Sequence, residues 1–257
     1  MKRKMKERLL AGEVLVGGQL RFGSPAMAEL FGHAGFDFLV IDGEHAPQTC
    51  VGVQAQLQAI GCTDATALVR LGRTDPDEIR LYLDIGAKGI VVPLIRTAEE
   101  ARIGAQACLY PPQGTRSYGP ARGAAYGFDT EHYPRFNEEV LFLPIIETAE
   151  AVDNIEEILA VDGVDSFIVG PFDLSIALGV PTQLEHPRMS EAVEKIAEAA
   201  RKAGKPAGMG VYGDSSNPET FQRFIDMGYS LLLGAMDESM MQDACAKHMG
   251  VLAKVRN

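Results

Sequence analysis

The sequence predicts an α/β protein of the (β/α)₈ barrel class, folded as one domain over residues 1–257. Eight short apolar segments alternate along the chain with amphipathic segments of helical period. The apolar segments are nearly continuous in hydrophobic residues, which is typical of parallel strands covered on both faces. The length of 257 residues also suits such a barrel. An open doubly wound sheet is the alternative, but no GxGxxG motif follows the first predicted strand.

The elements follow one another in regular order. The predicted strands are 14–19, 36–42, 65–70, 89–93, 140–147, 166–170, 206–212 and 230–234. The predicted helices are 25–34, 49–60, 76–85, 98–109, 149–159, 190–203, 218–227 and 238–254. In the sixth helix apolar residues recur at i, i+3, i+4 and i+7 from Val193. Asp75 before Pro76 and Asn217 before Pro218 are N-cap residues followed by proline, which marks two helix starts.

The segment 110–139 is the least regular part of the chain. It has no clear period, and loops this long in a compact domain are usually functional or interfacial. Because it follows the fourth helix, we expect it to leave the barrel on the face opposite the active site. It folds either against a neighbouring subunit or as a surface excursion of its own chain.

Composition and charge exclude several classes of function. With 24 Lys+Arg against 35 Asp+Glu the net charge is −11, which disfavours binding to nucleic acid or anionic lipid. The basic start, MKRKMKER, lacks the apolar core of a signal peptide and is expected to form a solvated first helix. No run is long enough to cross a membrane. The four cysteines are scattered, as is usual for thiols in the cytoplasm.

Ionisable residues follow four of the five strands from the second to the sixth. They are Asp42, Glu44 and His45 after the second strand, Arg70 at the end of the third, Glu147 at the end of the fifth and Asp173 after the sixth. In a (β/α)₈ barrel the carboxyl ends of the strands form the active face. The pattern therefore predicts one functional site at that face.

Glu147 and Asp173 are the candidate metal ligands. They lie one strand apart, and neighbouring strands are roughly 4.8 Å apart, so both carboxylates can reach one point. Two such carboxylates repel each other unless a cation lies between them. Oxygen ligands and open positions suit Mg²⁺ or Mn²⁺, with Co²⁺ as a substitute. The alternative is that each acid caps the helix that follows it.

Arg70 and His45 are the candidate substrate-binding and basic residues. The guanidinium of Arg70 suits a carboxylate or an enolate oxygen, whereas the alternative is an ion pair with Asp42 or Glu44. His45 stands beside two acids, which can fix its tautomer and raise its basicity; the alternative is an ordinary loop histidine. The remaining histidines belong to no such group and are assigned structural roles: His33, His132, His186 and His248.

Three motifs in order, GEHAP, IET and GPFDLS, carry a family resemblance. With "YPPQGTR" and the stretch after Arg70, they resemble the HpcH/HpaI aldolase family from about Leu9 to the last predicted helix. The resemblance implies a metal-dependent class II pyruvate aldolase on a (β/α)₈ barrel. It also implies a homo-oligomer, a hexamer or trimer, in which C-terminal helices are exchanged between subunits.

The resemblance also assigns roles to residues. It implies that Glu147 and Asp173 bind the metal, that Arg70 binds the keto oxygen of pyruvate and that His45 is the catalytic histidine. Asp42 and Asp84 match family acids of its hydrogen-bonded network. The turn that opens the next helix implies backbone N–H groups that bind the pyruvate carboxylate, and it comprises Gly170, Pro171, Phe172 and Asp173.

The implied reaction joins pyruvate to an aldehyde, or cleaves 2-keto-3-deoxy or 4-hydroxy-2-oxo acids, through a pyruvate enolate. A Schiff-base route is disfavoured because Lys88 precedes its strand. One alternative is a lyase of citryl- or malyl-CoA type, with Arg116 and Arg122 binding the nucleotide. Another is a barrel that binds a small molecule without turnover. A phosphate-dependent isomerase is disfavoured because "GVYGDSS" and "LLGAMDES" make no convincing phosphate loop.

One residue departs from the family pattern. Two aldolases of the family that the sequence resembles carry Gln two residues before the metal-binding Glu, and here that residue is Ile145. Residues i and i+2 share a strand face, so Ile145 is expected to face the same barrel mouth as Glu147. The segment "MGVYGDSSNP" after the seventh strand is also unlike those enzymes. These differences predict an aldehyde that is smaller or less polar than a sugar-acid semialdehyde.

Overall fold

The computed structural model describes residues 3–212 and 217–256, and these form a closed barrel of eight parallel strands in the order β1 to β8. The strands are β1 Leu15–Leu20, β2 Phe38–Asp42, β3 Thr66–Arg70, β4 Gly89–Val92, β5 Leu141–Ile146, β6 Phe167–Val169, β7 Ala207–Gly210 and β8 Tyr229–Met236. The predicted (β/α)₈ barrel is therefore confirmed, and each predicted strand overlaps an observed one. The segment "MGVYGDSSNP" lies partly outside the described residues.

Helices surround the barrel, and all eight predicted ones are present. The α-helices are α1 Met5–Leu10, α2 Pro25–Ala34, α3 Cys50–Ile60, α4 Pro76–Asp84, α5 Ala98–Cys108, α6 His132–Glu139, α7 Ala149–Asp153, α8 Ile155–Leu159, α9 Pro171–Ala177, α10 Pro187–Ala203, α11 Pro218–Asp226 and α12 Asp237–Arg256. The predicted helix 149–159 is divided into α7 and α8 at Asn154, whose backbone is not helical. Asp75 and Asn217 cap their helices as predicted.

The strands separate two apolar layers. Residues facing outward pack against the helices, whereas those facing inward fill the barrel, for example Leu15, Phe38, Leu68 and Leu143. Because side chains alternate along a strand, every second residue of each strand belongs to the interior. The ends of these interior rows therefore decide which residues reach the mouth of the barrel.

Helix α1 closes the N-terminal end of the barrel. Its Met5 and Leu9 are buried in the interior cluster, while Lys6 pairs with Asp165 at 2.6 Å. The expectation of a merely solvated first helix is therefore wrong for the described part of MKRKMKER, because an open barrel end exposes apolar side chains that α1 covers. Met1 and Lys2 of that segment lie outside the described residues.

The segment 110–139 is more ordered than its sequence predicts. It contains 3₁₀ turns over Arg122–Gly127, which are interrupted by non-helical backbone at residues 124–126, and helix α6, which leads directly into β5 at the N-terminal end of the barrel. Arg122 donates to the carbonyl groups of Ile85 and Leu57 at the ends of α4 and α3. Leu57 O also accepts from Gly61 N at the end of α3, and the two contacts of Arg122 pack this part of the segment on its own chain.

No helix in residues 3–212 or 217–256 is long and apolar enough to cross a membrane. Each of the four cysteines carries a free thiol. The cytoplasmic location predicted from the cysteine pattern stays a prediction.

Candidate active site

A cavity of about 280 Å³ opens at the C-terminal ends of the strands. Most of the predicted site residues line it, namely His45, Arg70, Glu147, Gly170, Pro171, Phe172 and Asp173. Asp42 lies directly behind Arg70 and is fully buried. The structure therefore brings together residues from four strand ends that are far apart in sequence.

Asp42 and Arg70 form the most buried ion pair of the cavity. They are register partners at the ends of β2 and β3, which places their side chains on the same inner face. Arg70 donates through Nε to Asp42 Oδ1 at 3.0 Å and through Nη2 to Oδ2 at 2.6 Å. Burial alone would raise the pKa of Asp42, but the hydrogen bonds and charge of Arg70 outweigh it and lower that pKa.

Arg70 forms the ion pairs that one interpretation predicted, and it also lines the cavity, so its substrate-binding role stays a prediction. Its Nη1 lies 3.0 Å from Glu44 Oε2. Burial, together with the charges of Asp42 and Asp173, raises the pKa of Glu44. Asp42 therefore binds Arg70 through two hydrogen bonds. Glu44 makes a single contact with Arg70 Nη1, which a substrate oxygen can replace.

His45 lies at the rim of the cavity. Its ring is about half exposed, and its Nε2 lies 3.7 Å from Glu44 Oε2. Asp42 Oδ1 accepts hydrogen bonds from the main-chain N–H groups of Glu44 and His45, at 3.0 and 3.2 Å. Asp42 therefore fixes the turn that carries the imidazole, while Glu44 is the acid beside the ring.

Glu147 is a buried carboxylate with a protein donor on one oxygen. Its Oε1 accepts a hydrogen bond of 2.7 Å from the N–H of Leu94, a residue with a left-handed backbone at φ 56°. Burial raises the pKa of Glu147 to about 7, opposed by the Leu94 N–H and reinforced by the negative charges of Asp173 and Glu44. Gly170 allows this packing, since a Cβ there would lie 2.5 Å from Glu147 Oε2.

The capping alternative for Glu147 is wrong. Thr148 is the N-cap of α7, and its side chain accepts a hydrogen bond from Ala151 N. Asp173 lies in the first turn of α9, where Gly170 is the N-cap, so a helix-stabilising role remains open for Asp173. Glu147 therefore does not cap α7, and its hydrogen bond from a main-chain N–H comes from Leu94.

The acidic side of the cavity fits a divalent cation. Among the described residues, no three or more His, Cys, Asp or Glu side chains form a preformed metal cluster. Mg²⁺ and similar ions are commonly held by one or two carboxylates, with water and substrate as the other ligands. Burial is the main cause of the raised pKa of Glu147 and the negative charge of Asp173 adds to it, so a cation bound beside both carboxylates would favour the ionised form. Glu147 and Asp173 therefore fit such an ion.

Sequence reasoning missed three polar residues that line the cavity: Gln19, Arg21 and Tyr212. The side-chain amide of Gln19 donates to Asp42 Oδ2 at 2.8 Å. Arg21 donates to Glu238 Oε2 at 2.7 Å and to the His45 carbonyl at 2.7 Å, so it joins the mouth to the start of α12. A polar residue in the otherwise apolar first strand was the available signal for Gln19.

Of two further predicted residues, Ile145 lies in the cavity and Asp84 does not. Ile145 is buried and lines the cavity with Glu147, as predicted from their shared strand face. Asp84 lies instead at the C-terminal end of α4 and pairs with Arg116 at 2.6 Å. Within one chain the structure does not bring Asp84 together with the described cavity residues.

The chain matches a described protein family over most of its length. Residues 20–235 match the family described as HpcH/HpaI aldolase/citrate lyase. The 4-hydroxy-2-oxovalerate aldolase of Rhodococcus jostii strain RHA1 is 41% identical over 209 residues, 79% of this chain and 80% of that protein. The 4-hydroxy-2-oxo-heptane-1,7-dioate aldolase of Klebsiella pneumoniae is 36% identical over 243 residues, 94% of this chain and 90% of that protein.

A solved structure is also similar to this fold. A family protein from Burkholderia cenocepacia J2315 has a TM-score of 0.91 and 32% identity, over 98% of this chain and 99% of that chain. Because named aldolases match most of the sequence, the protein is a carbon–carbon lyase of the aldolase type. Fold, cavity and sequence agree that the chain belongs to the HpcH/HpaI aldolase/citrate lyase family.

Proposed function

We propose that the protein is a metal-dependent aldolase that forms a pyruvate enolate and joins it to a short, uncharged aldehyde, or runs the reverse cleavage of a 4-hydroxy-2-oxo acid. One observation carries the proposal: the carboxylates of Glu147 and Asp173 line the same cavity as the guanidinium of Arg70. Such a cavity pairs a cation site with a fixed positive group. Negative charge that develops on a bound carbonyl oxygen is stabilised between the two.

The protein residues have separate tasks in this scheme. Glu147 and Asp173 would hold the divalent ion, which supplies Lewis-acid polarisation of a carbonyl group when bound. We assign Mg²⁺ or Mn²⁺, with Co²⁺ as a substitute, because the donors are oxygen atoms. Arg70 binds the keto oxygen of pyruvate by exchanging its contact with Glu44 for the substrate, while Asp42 keeps the guanidinium in place.

His45 is the proposed base. Its imidazole takes a proton from the methyl group of pyruvate, and the electron pair of the broken C–H bond forms the enolate. The enolate carbon then attacks the aldehyde carbon, and the new alkoxide takes its proton from the imidazolium of His45, which gives the 4-hydroxyl group and regenerates the base. Glu44, beside the ring, stabilises the imidazolium that forms. The N–H groups of the 170–173 turn are proposed to bind the pyruvate carboxylate.

The apolar lining supports a short substrate tail. Ile145 stands where related aldolases carry Gln, and Val40, Val91, Ile168 and Leu233 also line the cavity. These side chains have no donor for the hydroxyl groups of a sugar acid. The relative from Rhodococcus jostii is named for 4-hydroxy-2-oxovalerate, which is a short substrate of this type.

A homo-oligomer is part of the proposal. Helix α12 carries large exposed apolar side chains, namely Met240, Met241, Met249, Val251, Leu252 and Val255. Exposed apolar residues at this density on one helix are typical of a protein interface. We propose that α12 packs against a second copy, with helices exchanged, in a trimer or hexamer, and that Asp84 serves a neighbouring site. Analytical ultracentrifugation of Met249→Glu with Val251→Glu should then show dissociation.

A CoA-ester lyase is disfavoured by the positions of the basic residues proposed for it. The side chain of Arg116 is fully buried and paired with Asp84, and Arg122 caps helix ends at the N-terminal side of the barrel. Neither residue is available at the mouth of the cavity to bind a nucleotide. Absence of competition by free CoA would agree with this assignment.

Deuterium exchange into the methyl group of pyruvate, followed by NMR, tests the proposed function without knowledge of the aldehyde. We expect exchange with Mg²⁺, Mn²⁺ or Co²⁺ and its loss in EDTA. Exchange that continues undiminished in EDTA, or in a variant with both Glu147→Ala and Asp173→Ala, would rule out the metal-dependent mechanism. With acetaldehyde added, the expected product is a 4-hydroxy-2-oxo acid.

A further inference from the structure

A short chain of hydrogen bonds runs along the wall of the cavity at the mouth of the barrel. Tyr212 Oη donates to Gln19 Oε1 at 3.2 Å, and Gln19 Nε2 donates to Asp42 Oδ2 at 2.8 Å. We propose that Gln19 and Tyr212 are positioning residues that hold Asp42, and through it Arg70, in the orientation that enolate formation requires. This inference rests on the proposed function of Arg70.

The direction of each bond follows from the chemistry of its partners. Asp42 is held as a carboxylate by Arg70 and can only accept hydrogen bonds, so the NH₂ end of the Gln19 amide must face it. The oxygen of the amide then faces Tyr212. Burial raises the pKa of Tyr212, so its hydroxyl keeps the proton that it donates. The chain therefore has one consistent direction.

Gln19 and Arg70 donate to the same carboxylate oxygen of Asp42. Asp42 Oδ2 accepts from both Gln19 Nε2 and Arg70 Nη2, so the position of that oxygen sets the plane of the guanidinium. Gln19 is 3% exposed, which leaves little water to replace its amide. Loss of the Gln19 donor therefore removes one of the two hydrogen bonds to Asp42 Oδ2 and loosens the orientation of the carboxylate, and of Arg70 with it, although Oδ1 keeps its own donors.

Tyr212 joins this unit to the end of β7 and to α9. It follows β7, and its ring packs at 5.1 Å from that of Phe172 in α9. Gln19 belongs to β1, which pairs with β2 and β8. The two hydrogen bonds therefore link the β7 exit and α9 to the Asp42–Arg70 pair. A link of this kind fixes side-chain angles, which is what enolate stabilisation requires.

The competing interpretation is that Gln19 and Tyr212 are only walls of the aldehyde site. Exchange of pyruvate protons separates the two, because that step needs no aldehyde. We expect Tyr212→Phe to lower the exchange rate by about 3- to 10-fold and Gln19→Leu by about 10- to 30-fold, mainly in kcat rather than in KM for pyruvate. Unchanged exchange with a raised KM for the aldehyde would overturn the proposal.

A double variant tests whether Tyr212 acts through Gln19. The combined Tyr212→Phe and Gln19→Leu variant should match Gln19→Leu alone within about 2-fold, whereas multiplied effects would contradict the chain. Tyr229→Phe is the matched control, because it removes another buried tyrosine hydroxyl, bonded to the Val193 carbonyl at 2.8 Å outside the cavity. It should leave exchange unchanged.

Arg70 itself provides a measurement that does not depend on turnover. Its Nε–H donates to Asp42 Oδ1, so hydrogen exchange of that group, followed by NMR, reports the order of the pair. Faster exchange is expected in Tyr212→Phe and Gln19→Leu at unchanged thermal stability of the fold. If the wild-type protein failed to exchange pyruvate protons, the proposed function would fail. If the wild-type protein exchanged pyruvate protons and both variants did so at the same rate, the positioning role would fail.

Discussion

The two ends of the barrel are built from the same strands but differ in chemistry. At the N-terminal end Met5 and Leu9 fill the interior, and charges lie around the edge, as in the pair of Lys4 with Glu139. At the C-terminal end charges lie inside, as in the pair of Arg70 with Asp42. The side chains of the first pair are 42% and 24% exposed, and those of the second 13% and 0%.

Single strands show how this difference arises. The interior row of β2 runs Phe38, Val40 and then Asp42, so the apolar row ends on a charge. An exposed ion pair contributes little to stability because water screens it, whereas a buried pair depends on both partners being present. Removal of one charge from the exposed pair at the N-terminal end should therefore cost little folding free energy, whereas removal of one charge from the buried pair at the C-terminal end should cost much more.

The largest expected effect is on activity. It is tested by removing one carboxylate at each end of the barrel and comparing the two variants. Glu147→Ala should lower deuterium exchange into pyruvate by about 10³-fold, because the charge that holds the cation is removed. Glu139→Ala, the matched change at the N-terminal end, should leave exchange within about 2-fold of wild type. Similar losses in both variants would show that the fold, rather than the site, had been damaged.

The next effect is on stability. Arg70→Met should lower the free energy of unfolding by about 3–5 kcal/mol, since it leaves the Asp42 carboxylate buried without its partner. Lys4→Met, which breaks the exposed pair with Glu139, should lower it by about 0–1 kcal/mol. Urea unfolding measures both. Equal losses would mean that the Arg70 pair is as well solvated as the surface pair.

The third effect concerns pH. The pKa of Glu147 is about 7 in the folded chain, against an ordinary value of 4.5. Between these values the folded state holds a proton that the unfolded state has lost, so stability falls as pH rises through this window and stays lower above it. The expected loss without metal is about 3 kcal/mol between pH values of about 4.5 and 7.

Glu147→Gln supplies the control for this pH effect, because it cannot ionise. The difference between wild type and this variant in urea unfolding, measured in EDTA, should grow with pH over the same window. Added Mn²⁺ should restore stability to the wild type at about pH 8, since it binds only the folded state. A difference that does not change with pH would mean that Glu147 is ionised throughout.

The two ends also differ in how far the sequence predicts them. Asp42, Arg70 and Glu147 are recognisable because each stands where an apolar run of a predicted strand stops, and parallel strands bring such ends together. The role of α1 is not recognisable, because Met5 and Leu9 in a six-residue helix form no repeated stripe. They become buried only because the barrel end needs a cover.

Gln19 and Tyr212 show a second limit. One polar residue in the first strand and one aromatic residue after the seventh strand have no spacing that relates them. They meet only because β1 pairs with β8 and closes the barrel. Local patterns therefore predict the charged residues of the site, while closure of the sheet decides which neutral residues support them.

The smallest expected effect concerns substrate choice and depends on one side chain of the C-terminal end. Ile145 is 4% exposed, so an amide placed there by Ile145→Gln has little access to water and gains most from a hydroxyl group on the substrate. We expect the ratio of kcat/KM for acetaldehyde over a hydroxylated aldehyde to fall by about tenfold. Ile145→Leu keeps the apolar volume and should keep the ratio. If Ile145→Gln changed kcat/KM for both aldehydes by the same factor, the apolar lining would not be what selects the short, uncharged substrate. Residues nearer the rim of the cavity would then determine which aldehyde is accepted.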